Sequence, residues 1–573
     1  MMNLFQKSRG LGVLVCGVSI LTFSHAAVAQ VAPNVVPRID PGRLEEQFKI
    51  PQMPKTSIDS SAVGEKPAVQ DAPEGSDKIR FVLDQLHVDG VSVYEPSEIE
   101  ALYKKYIGKE IALSTIYEIA NAITAKYRAD GYILSQAVVP AQEVRDGNVR
   151  IAVVEGYVHE VNVEGTKGLQ DHMKQLVERI LEMRPLNIRK LERYMLLMND
   201  LHGVAVKSIM QPIKGEAPLG AIGLTLLIEK ERSRAQISLD NYGSRYLGPL
   251  QVGARQDFSV GAFEFDKLTL GGFLSVPVDE LQYFFAGYEV PLNSEGTKLG
   301  ISANTSWTEP GYTLEPQRVN GRSYGVEVEM SHPVIRSRSE NLYVTGAFDI
   351  RESQNQILGT RLFRDRTRAI RIGTTYDFTD SWRGTNLIAA KASQGLDILN
   401  TRESGSADLS RAQGRTDFSK LEASLARLQA LSNSWSVFAA ASAQFTGSPL
   451  LSSEEFGYGG QVFGRAYDAS EITGDRGIAA SLELRYSGLA PWSWGTAEPF
   501  AFYDVGKVYN LDNLTAEPRQ SGASAGAGVR FLFDERLSGT LTLATPLTRN
   551  VSTPTSGQNG GNTRAFFSLN YSL

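Results

Sequence analysis

Beyond residue 232, polar and apolar side chains alternate along the chain. In the final segment, Phe567, Leu569 and Tyr571 alternate with Ser568 and Asn570. A period of two is typical of a β-strand with one polar and one apolar face. An even number of such strands, each about ten residues or longer, is typical of an antiparallel transmembrane β-barrel. We predict sixteen strands, with cores at 234–243, 247–260, 266–277, 280–292, 297–308, 322–335, 340–353, 364–380, 384–396, 417–431, 435–447, 476–488, 497–510, 521–533, 537–547 and 563–573.

The connections between these strands fall into two length classes. Connections that follow even-numbered strands are mostly short, as at 293–296, 336–339, 381–383 and 534–536. Connections that follow odd-numbered strands include the long ones. Transmembrane barrels have short periplasmic turns and long extracellular loops, so the asymmetry predicts which rim lies outside the cell. The long connections are 309–321, 354–363, 397–416, 448–475 and 548–562.

Residues 78–232 show a different pattern, in which apolar residues recur at helical as well as at strand spacing. Residues 78–156 predict the element order β-α-α-β-β, with Ile116, Ile119 and Ile123 on one face of the second helix. Residues 157–232 repeat that order, with helices at 170–182 and 188–200. A repeat of five elements predicts two copies of one small α+β module. The alternative is two unrelated α+β domains.

The N-terminus has the features of a secretory signal. Lys7 and Arg9 precede an apolar stretch, and Ala27, Val28 and Ala29 form a small-residue cleavage site, which predicts a signal peptide over residues 1–29. Residues 30–77 are rich in proline and polar residues and are predicted to be a linker. Within it, 43–48 is a candidate for a short helix that plugs the barrel at rest.

Composition narrows the functional classes. The chain has 573 residues, 42% of them hydrophobic and 21% charged, which fits neither a disordered chain nor a helical membrane protein. A net charge of −6 argues against a nucleic-acid partner. The single cysteine lies in the predicted signal peptide, so disulfides and cysteine-based metal sites are not expected. G-x-S-x-G and P-loop motifs are absent, and His332 is the lone histidine of the barrel. We therefore expect no enzyme activity, no cofactor and no metal.

One predicted outer loop, residues 448–475, carries the candidate chemistry. Val462, Phe463 and Tyr467 surround Arg465 in this loop. Exposed loops favour polar residues, so this apolar cluster predicts a loop that folds into the barrel. An arginine inside a barrel requires a carboxylate to offset the loss of its hydration.

The whole arrangement resembles a known family. The two repeats resemble polypeptide-transport-associated (POTRA) domains. With the signal, the linker, the barrel and the 448–475 loop, the chain resembles the two-partner secretion transporters, the TpsB family of haemolysin secretion/activation proteins such as ShlB, FhaC and HecB. The resemblance covers nearly all of the mature chain. It implies periplasmic α+β POTRA repeats followed by a 16-stranded antiparallel transmembrane β-barrel in the outer membrane of a Gram-negative cell.

The resemblance also implies a charge pair. The family carries V-R-G-[YF] in the loop and F-x-D on strand thirteen, and it implies that Arg465 reaches into the lumen to pair with Asp504. We expect Glu483 on strand twelve to be a secondary partner. Gly464 and Ala466 depart from the loop motif, and alanine tolerates positive φ poorly, so a different local turn is expected. The residues at and beside the motif positions are Gly464, Arg465, Ala466, Tyr467 and Asp468 in the loop and Phe502, Tyr503 and Asp504 on strand thirteen.

The implied function is secretion of a partner protein. The POTRA modules would recognise a large unfolded TpsA-type exoprotein in the periplasm, and the barrel would pass it to the cell surface without ATP. Strand addition to a module edge binds an extended chain with little sequence preference. The other implied partners are outer-membrane lipid and, during biogenesis, the barrel-assembly machinery. In the second module, the helix 188–200, flanked by residues 222–228, is a candidate for a substrate-binding groove. The candidate substrate-binding residues there are Leu191, Tyr194, Met198, Leu224 and Leu226.

The sequence leaves three alternative functions to consider. The first is a barrel-assembly factor of the same superfamily, although such proteins often carry more than two POTRA domains. The second is a passive porin, which leaves the repeats unexplained. The third is an outer-membrane hydrolase, for which no catalytic motif is found. The exoprotein itself remains open: an adhesin, a haemolysin, a haem scavenger and a contact-dependent toxin all fit.

Overall fold

The computed structural model describes the short segment 39–44 and most of the chain from residue 70 onward. The predicted signal peptide and most of the predicted linker lie outside the described residues, and so do residues 45–48 of the candidate plug helix. None of the described helices is long and apolar enough to cross a membrane. The described residues are 39–44, 70–165, 168–213, 215–230, 233, 235–492, 495–514, 517–534, 536–554 and 559–573.

The first module consists of β1 (Arg80–Val82), β2 (Gln85–Asp89), α1 (Pro96–Tyr103), β3 (Glu110–Ala112), α2 (Leu113–Ala129), β4 (Gln136–Val138) and β5 (Asn148–Val154). Its sheet has the order β2-β5-β4, with β2 parallel to β5. The apolar face of α2 is buried in the module core. The sequence predicted one strand before the helices. The structure has two, because β1 pairs with β3 outside the main sheet.

The second module consists of β6 (Tyr157–Glu164), α3 (Asp171–Leu181), α4 (Ile188–Asn199), β7 (Val204–Pro212) and β8 (Ala221–Lys230). Its sheet has the order β6-β8-β7, with β6 parallel to β8, so β6 and β7 are the edge strands. Helices α3 and α4 bury their apolar faces against this sheet. The parallel first and last strands with two intervening helices match the arrangement in the first module.

Two glycines show how closely the modules correspond. Gly90 follows β2 and Gly165 follows β6, and their φ values are +83° and +89°. A Cβ at Gly90 would lie 2.3 Å from the carbonyl oxygen of Val153, and one at Gly165 would lie 2.2 Å from that of Ile228. Both positions therefore require glycine, because the chain turns in the left-handed region against the backbone of the parallel partner strand.

The barrel closes as predicted. Sixteen antiparallel strands form one ring, in which the last strand pairs with the first. The predicted fold class is thereby confirmed. The strands are β9 (Ala235–Asp240), β10 (Leu250–Phe258), β11 (Lys267–Val276), β12 (Gln282–Pro291), β13 (Lys298–Thr308), β14 (Asn320–Arg336), β15 (Glu340–Ile357), β16 (Thr360–Thr379), β17 (Gly384–Gly395), β18 (Ser419–Ala430), β19 (Trp435–Thr446), β22 (Arg476–Tyr486), β23 (Thr496–Tyr509), β24 (Arg519–Leu532), β25 (Leu537–Pro546) and β26 (Arg564–Ser572); the short β20 (Phe456–Tyr458) and β21 (Ile472–Gly474) lie in the loop before β22.

The alternation of side chains separates the two faces of the wall. Along β26, Leu569 is exposed on the outer face, whereas Phe566 is buried on the inner face and stacks on Tyr242. Closure satisfies the backbone hydrogen bonds of every strand, which is the condition for crossing lipid.

The second module contacts the periplasmic rim of the barrel through charged residues. Arg336, at the end of β14, donates two hydrogen bonds of 2.8 Å to the carboxylate of Asp200. Glu264, between β10 and β11, accepts from the backbone amides of Asp171 and His172 at 3.0 and 2.8 Å. A carboxylate at this helix N-terminus is stabilised by the unpaired amides of the first turn. Burial lowers the pKa of His172, and the charge of Glu264 opposes this shift.

Candidate functional site: the lumenal loop

The connection between β19 and β22, residues 447–475, folds back into the barrel. Within it, β20 and β21 form a small hairpin. Tyr458 and Ile472, which pair across this hairpin, are both buried. Their cluster includes Val508, an inward-facing residue of β23. The loop therefore rests against the inner surface of the wall, and the predicted inward fold is what the structure shows.

The hairpin places Arg465 against strand thirteen, which is β23. Asp504 accepts two hydrogen bonds from the Arg465 guanidinium, at 2.8 Å from Nη2 and 3.0 Å from Nε. It accepts a third, at 3.0 Å, from the Arg465 backbone amide. Asp504 is completely buried. A planar guanidinium facing a carboxylate with two parallel bonds is the strongest geometry for such a pair, and the third bond fixes the loop backbone as well.

Glu483 on β22 is a full partner in the same site. Its Oε2 lies 2.5 Å from Nη1 of Arg465, while Ser481 Oγ accepts at 2.9 Å from Nη2. The ring of Phe502 lies beneath the guanidinium, with its centre 3.6 Å from Cζ. Two carboxylates, a hydroxyl and an aromatic face together replace the water that Arg465 loses on burial.

Two further arginines converge on Glu483. Arg485 Nε and Arg530 Nη2 each lie 2.7 Å from its Oε1, and Arg530 also reaches Glu498 at 3.1 Å. Neither Arg485 nor Arg530 was among the site residues predicted from the sequence. Alternation could have placed them on the inner face, but only the strand register brings them to one carboxylate.

The remaining loop-motif residues secure the turn. The Tyr467 hydroxyl donates to the carbonyl of Ala523 at 2.9 Å. Asp468 pairs with Arg564 of β26 at 2.8 Å, and Arg564 also donates to the carbonyl of Ala466 at 2.9 Å. Like Arg485 and Arg530, Arg564 was not among the site residues predicted from the sequence. These contacts join the loop to β24 and to β26, the last strand before the seam of the barrel.

The departures from the family motif have a structural explanation. Gly464 has φ +76°, and a Cβ there would lie 2.8 Å from the ring of Tyr458. The buried Ala466 does not adopt a positive φ. The left-handed position of this turn is therefore residue 464, where glycine stands, and alanine at 466 is under no backbone strain.

Not every predicted site residue lies at the site. Phe502 and Asp504 face the lumen, so Tyr503 between them faces lipid and is 47% exposed. The proposed groove in the second module needs correction too. Leu191, Met198, Leu224 and Leu226 are buried in the module core, where helical and strand periodicity directs them. Tyr194 is half-buried, and its hydroxyl contacts Glu295 of the barrel at 3.3 Å.

A second set of charges anchors the start of the loop. Glu454 lies 2.7 Å from Arg371 and 2.8 Å from Lys420, which are inward-facing residues of β16 and β18. Arg371 also contacts Asp349 at 3.0 Å. All four side chains are buried. The loop is thus held to the wall at two places, to β16 and β18 by Glu454 near its beginning and to β22 and β23 by Arg465 further along.

The segment 39–44 lies in the lumen between the wall and this loop. Arg43 donates to the carbonyl of Glu455 at 3.1 Å and to Ser470 Oγ at 3.2 Å. The carbonyl of Pro41 accepts from Ser323 Oγ on β14 at 3.0 Å. The helical part of this segment is the 3₁₀ turn Pro41–Arg43, with Asp40 as its N-cap. The segment is almost fully buried and so occupies lumenal space.

Comparison with known proteins agrees with this architecture. Residues 222–531 match the family described as haemolysin secretion/activation protein ShlB/FhaC/HecB, and residues 81–156 match the ShlB-type POTRA domain. The heme/hemopexin transporter protein HuxB of Haemophilus influenzae strain 86-028NP is 24% identical over 486 residues, 83% of this chain and 85% of that protein. The outer membrane transporter CdiB of Escherichia coli is 22% identical over 478 residues, covering 82% and 79%. The solved structure of CdiB from Escherichia coli superimposes with a TM-score of 0.73 at 19% identity, covering 88% and 92%.

The fold and the site define an outer-membrane β-barrel transporter with periplasmic POTRA modules. The chain belongs to the ShlB/FhaC/HecB family of haemolysin secretion/activation proteins. Members of this family are two-partner secretion transporters, a class of transporters and not of enzymes. Family membership supports secretion over the assembly-factor alternative.

Proposed function

We propose that this chain secretes one large exoprotein of the TpsA type, which it receives unfolded in the periplasm. The observation that carries the proposal is the double-carboxylate site of Arg465, which fixes a long loop inside a barrel that follows two periplasmic modules. A passive pore has no use for such modules. A loop held by buried charges supplies a fixed internal element past which an entering chain can move.

Capture of the exoprotein takes place at a sheet edge. In the second module, β6 and β7 are the edge strands, so each has one side with which no strand of this sheet pairs. Ile209 on β7 is 50% exposed. An unfolded chain has free backbone donors and acceptors, which an edge strand can pair. This mode replaces the predicted groove, whose leucines and methionine belong to the core.

Passage through the lumen requires movement of the segment 39–44. This segment and the loop share the interior, and Arg43 joins them through Glu455 and Ser470. We propose that the segment plugs the resting barrel and that an arriving exoprotein displaces it. Arg465, Asp504 and Glu483 then keep the loop in position while the chain passes. Folding outside the cell supplies the direction of transport, so no nucleotide is needed.

The transporter acts without covalent chemistry in this scheme. Lipid surrounds the apolar outer face of the barrel, and the barrel-assembly machinery inserts it. HuxB, which is 24% identical, is named a heme/hemopexin transporter protein. An adhesin, a haemolysin, a haem scavenger and a toxin are all candidate cargoes for this chain.

Deletion of the chain tests the function. We expect one large polypeptide to disappear from the medium and to be found degraded in the periplasm, with the other outer-membrane barrels at normal levels. Plasmid-borne wild-type chain should restore export. Unchanged export combined with the loss of several barrel proteins would instead support the assembly factor.

A further inference from the structure

Toward the extracellular rim, the outward-facing side chains of β14, β15 and β16 change from apolar to charged. Side chains that contact the lumenal loop, such as Arg371 on β16, define the inward positions. The alternate, outward positions of β16 are isoleucine at 372 and 370 and then arginine at 368, 366 and 364. The register places Ile370 beside Phe348 and Arg366 beside Glu352. Three successive outward arginines thus follow directly on an apolar band.

A fourth arginine completes this surface. Arg322 on β14 faces outward, since Ser323 beside it contacts the lumenal Pro41. In the register, Arg322 pairs with Gln354, which pairs with Arg364. We name the outward residues Arg322, Arg364, Arg366 and Arg368 the outer arginine patch.

The patch carries more positive charge than its contacts neutralise. Glu352 is the carboxylate that three of the arginines contact, and it lies 3.1 Å from Arg364, 3.0 Å from Arg366 and 3.2 Å from Arg368. One negative charge therefore faces three positive ones, and Arg322 adds a fourth. Arg368 is buried, whereas the Arg364 side chain is 31% exposed and Arg322 is exposed. Arg364 and Arg322 therefore present guanidinium donors that an anion can reach.

Aromatic residues place the patch at the membrane boundary. Trp307 and Tyr324 face outward at the same level as the arginines, as their pairing with Arg322 and Glu352 shows. Phe284 contacts Trp307 with ring centres 6.2 Å apart. Aromatic girdles of this kind mark the interfaces of transmembrane barrels, where lipid headgroups lie. Lipid-facing arginine is costly at the midplane and much less so at this level.

We propose that the outer arginine patch binds the phosphate groups of a glycolipid headgroup in the outer leaflet. Phosphate is the anion that guanidinium groups bind best, through paired N–H donors. The acyl chains of the same lipid would lie on the apolar rows below, which include Ile370 and Ile372. The lipid would hold the long β15–β16 hairpin, which also carries the inward Arg371 that anchors the loop. Binding of this lipid to the outer arginine patch depends neither on the identity of the exoprotein nor on the Arg465 site.

Native mass spectrometry of the purified full chain in detergent tests the proposal. The probes are lipid A with two phosphates, with one phosphate and with none. We expect affinity to fall with each phosphate removed. The double variant Arg364→Gln and Arg366→Gln should bind the diphosphorylated form roughly thirtyfold more weakly, and Arg322→Gln alone roughly fivefold. Arg322→Gln leaves the contacts of Glu352 intact, so weaker lipid binding by this variant would not come from a local folding defect around Glu352.

Arg415→Gln is the matched control. Arg415 is an exposed arginine in another outer loop, and Asp417 neutralises it through a 2.9 Å hydrogen bond. It should bind like the wild type. Equal binding of all three lipid forms, or wild-type binding by both patch variants, would overturn the proposal. Displacement of the lipid by equimolar inorganic phosphate would show a free-anion site instead. Lost export with unchanged lipid binding would assign the patch to the exported chain.

Discussion

Asp504 accepts three hydrogen bonds from Arg465, two from the guanidinium and one from the backbone amide of the same residue. The carboxylate therefore fixes both the side chain and the path of the loop. Because Asp504 is completely buried, neither charge has water as an alternative partner.

Replacing Arg465 by alanine should abolish most export while leaving barrel insertion intact. The change leaves Asp504 and Glu483 buried with a partner missing, which typically costs about 3–5 kcal/mol. We expect at least about a tenfold drop in exoprotein in the medium, measured by immunoblot, with normal heat-modifiable migration of the barrel. Tyr503→Leu is the control, since Tyr503 faces lipid. Normal export by the Arg465 variant would remove this residue from the mechanism.

Glu483→Gln should disturb the site more widely than its single contact with Arg465 suggests. The change removes the charge that Arg465, Arg485 and Arg530 share, so three arginines are left to repel one another. We expect the loop to become accessible to trypsin in whole cells and export to fall. Glu498→Gln, which removes a direct contact with Arg530 alone among these three, should have a smaller effect. Equal effects of the two variants would contradict the shared-charge interpretation.

Gly464→Ala should destabilise the loop, whereas Ala466→Gly should be mild. A left-handed φ costs a residue with a Cβ about 1–2 kcal/mol, and the new methyl would also press on Tyr458. Protease protection of the loop compares the two variants directly. Greater sensitivity of Ala466→Gly would show that the strained position has been assigned to the wrong residue.

Arg43→Ala should loosen the segment 39–44 and open the pore. The variant loses the hydrogen bonds to Glu455 and Ser470 that join the segment to the loop. Single-channel recordings in planar bilayers should show longer open times and higher mean conductance. Arg536→Ala, in an exposed turn at the periplasmic rim, serves as the control. Identical conductance of Arg43→Ala and wild type would count against a plug.

Acidification should weaken the N-terminus of α3. Burial lowers the pKa of His172 below its usual value near 6.5, so the open state takes up a proton before the packed state does. The stability of the packed state is therefore full above that pH and falls as the pH drops through it. Hydrogen exchange of the α3 amides at pH 7.5 and 5.5, corrected for intrinsic rates, measures the change. His172→Gln should show no such dependence. Greater protection at low pH would mean that attraction to Glu264 outweighs burial.

The broad architecture could be predicted from the sequence because the patterns that indicate it are local. A period of two identifies each strand without knowledge of its neighbours. The lengths of the connections indicate which rim of the barrel lies outside the cell. Local periodicity also explains the failures. The apolar faces that suggested a binding groove around Leu191 and Leu224 indicate burial, but not whether a core or a ligand covers them. Tyr503 was included among the predicted site residues because it lies between Phe502 and Asp504, although the alternation of side chains places it on the lipid-facing side of the strand.

By itself, the sequence determined the strand count, the repeated module and the loop that contains Arg465, since each depends on neighbouring residues. The tertiary structure alone decided which charges meet. Arg530 and Arg485 reach Glu483 because barrel closure and strand register bring β22, β23 and β24 side by side. The same register sets three outward arginines around Glu352. Pairing across a closed sheet depends on residues far apart in the chain, and a one-residue slip would reverse every face.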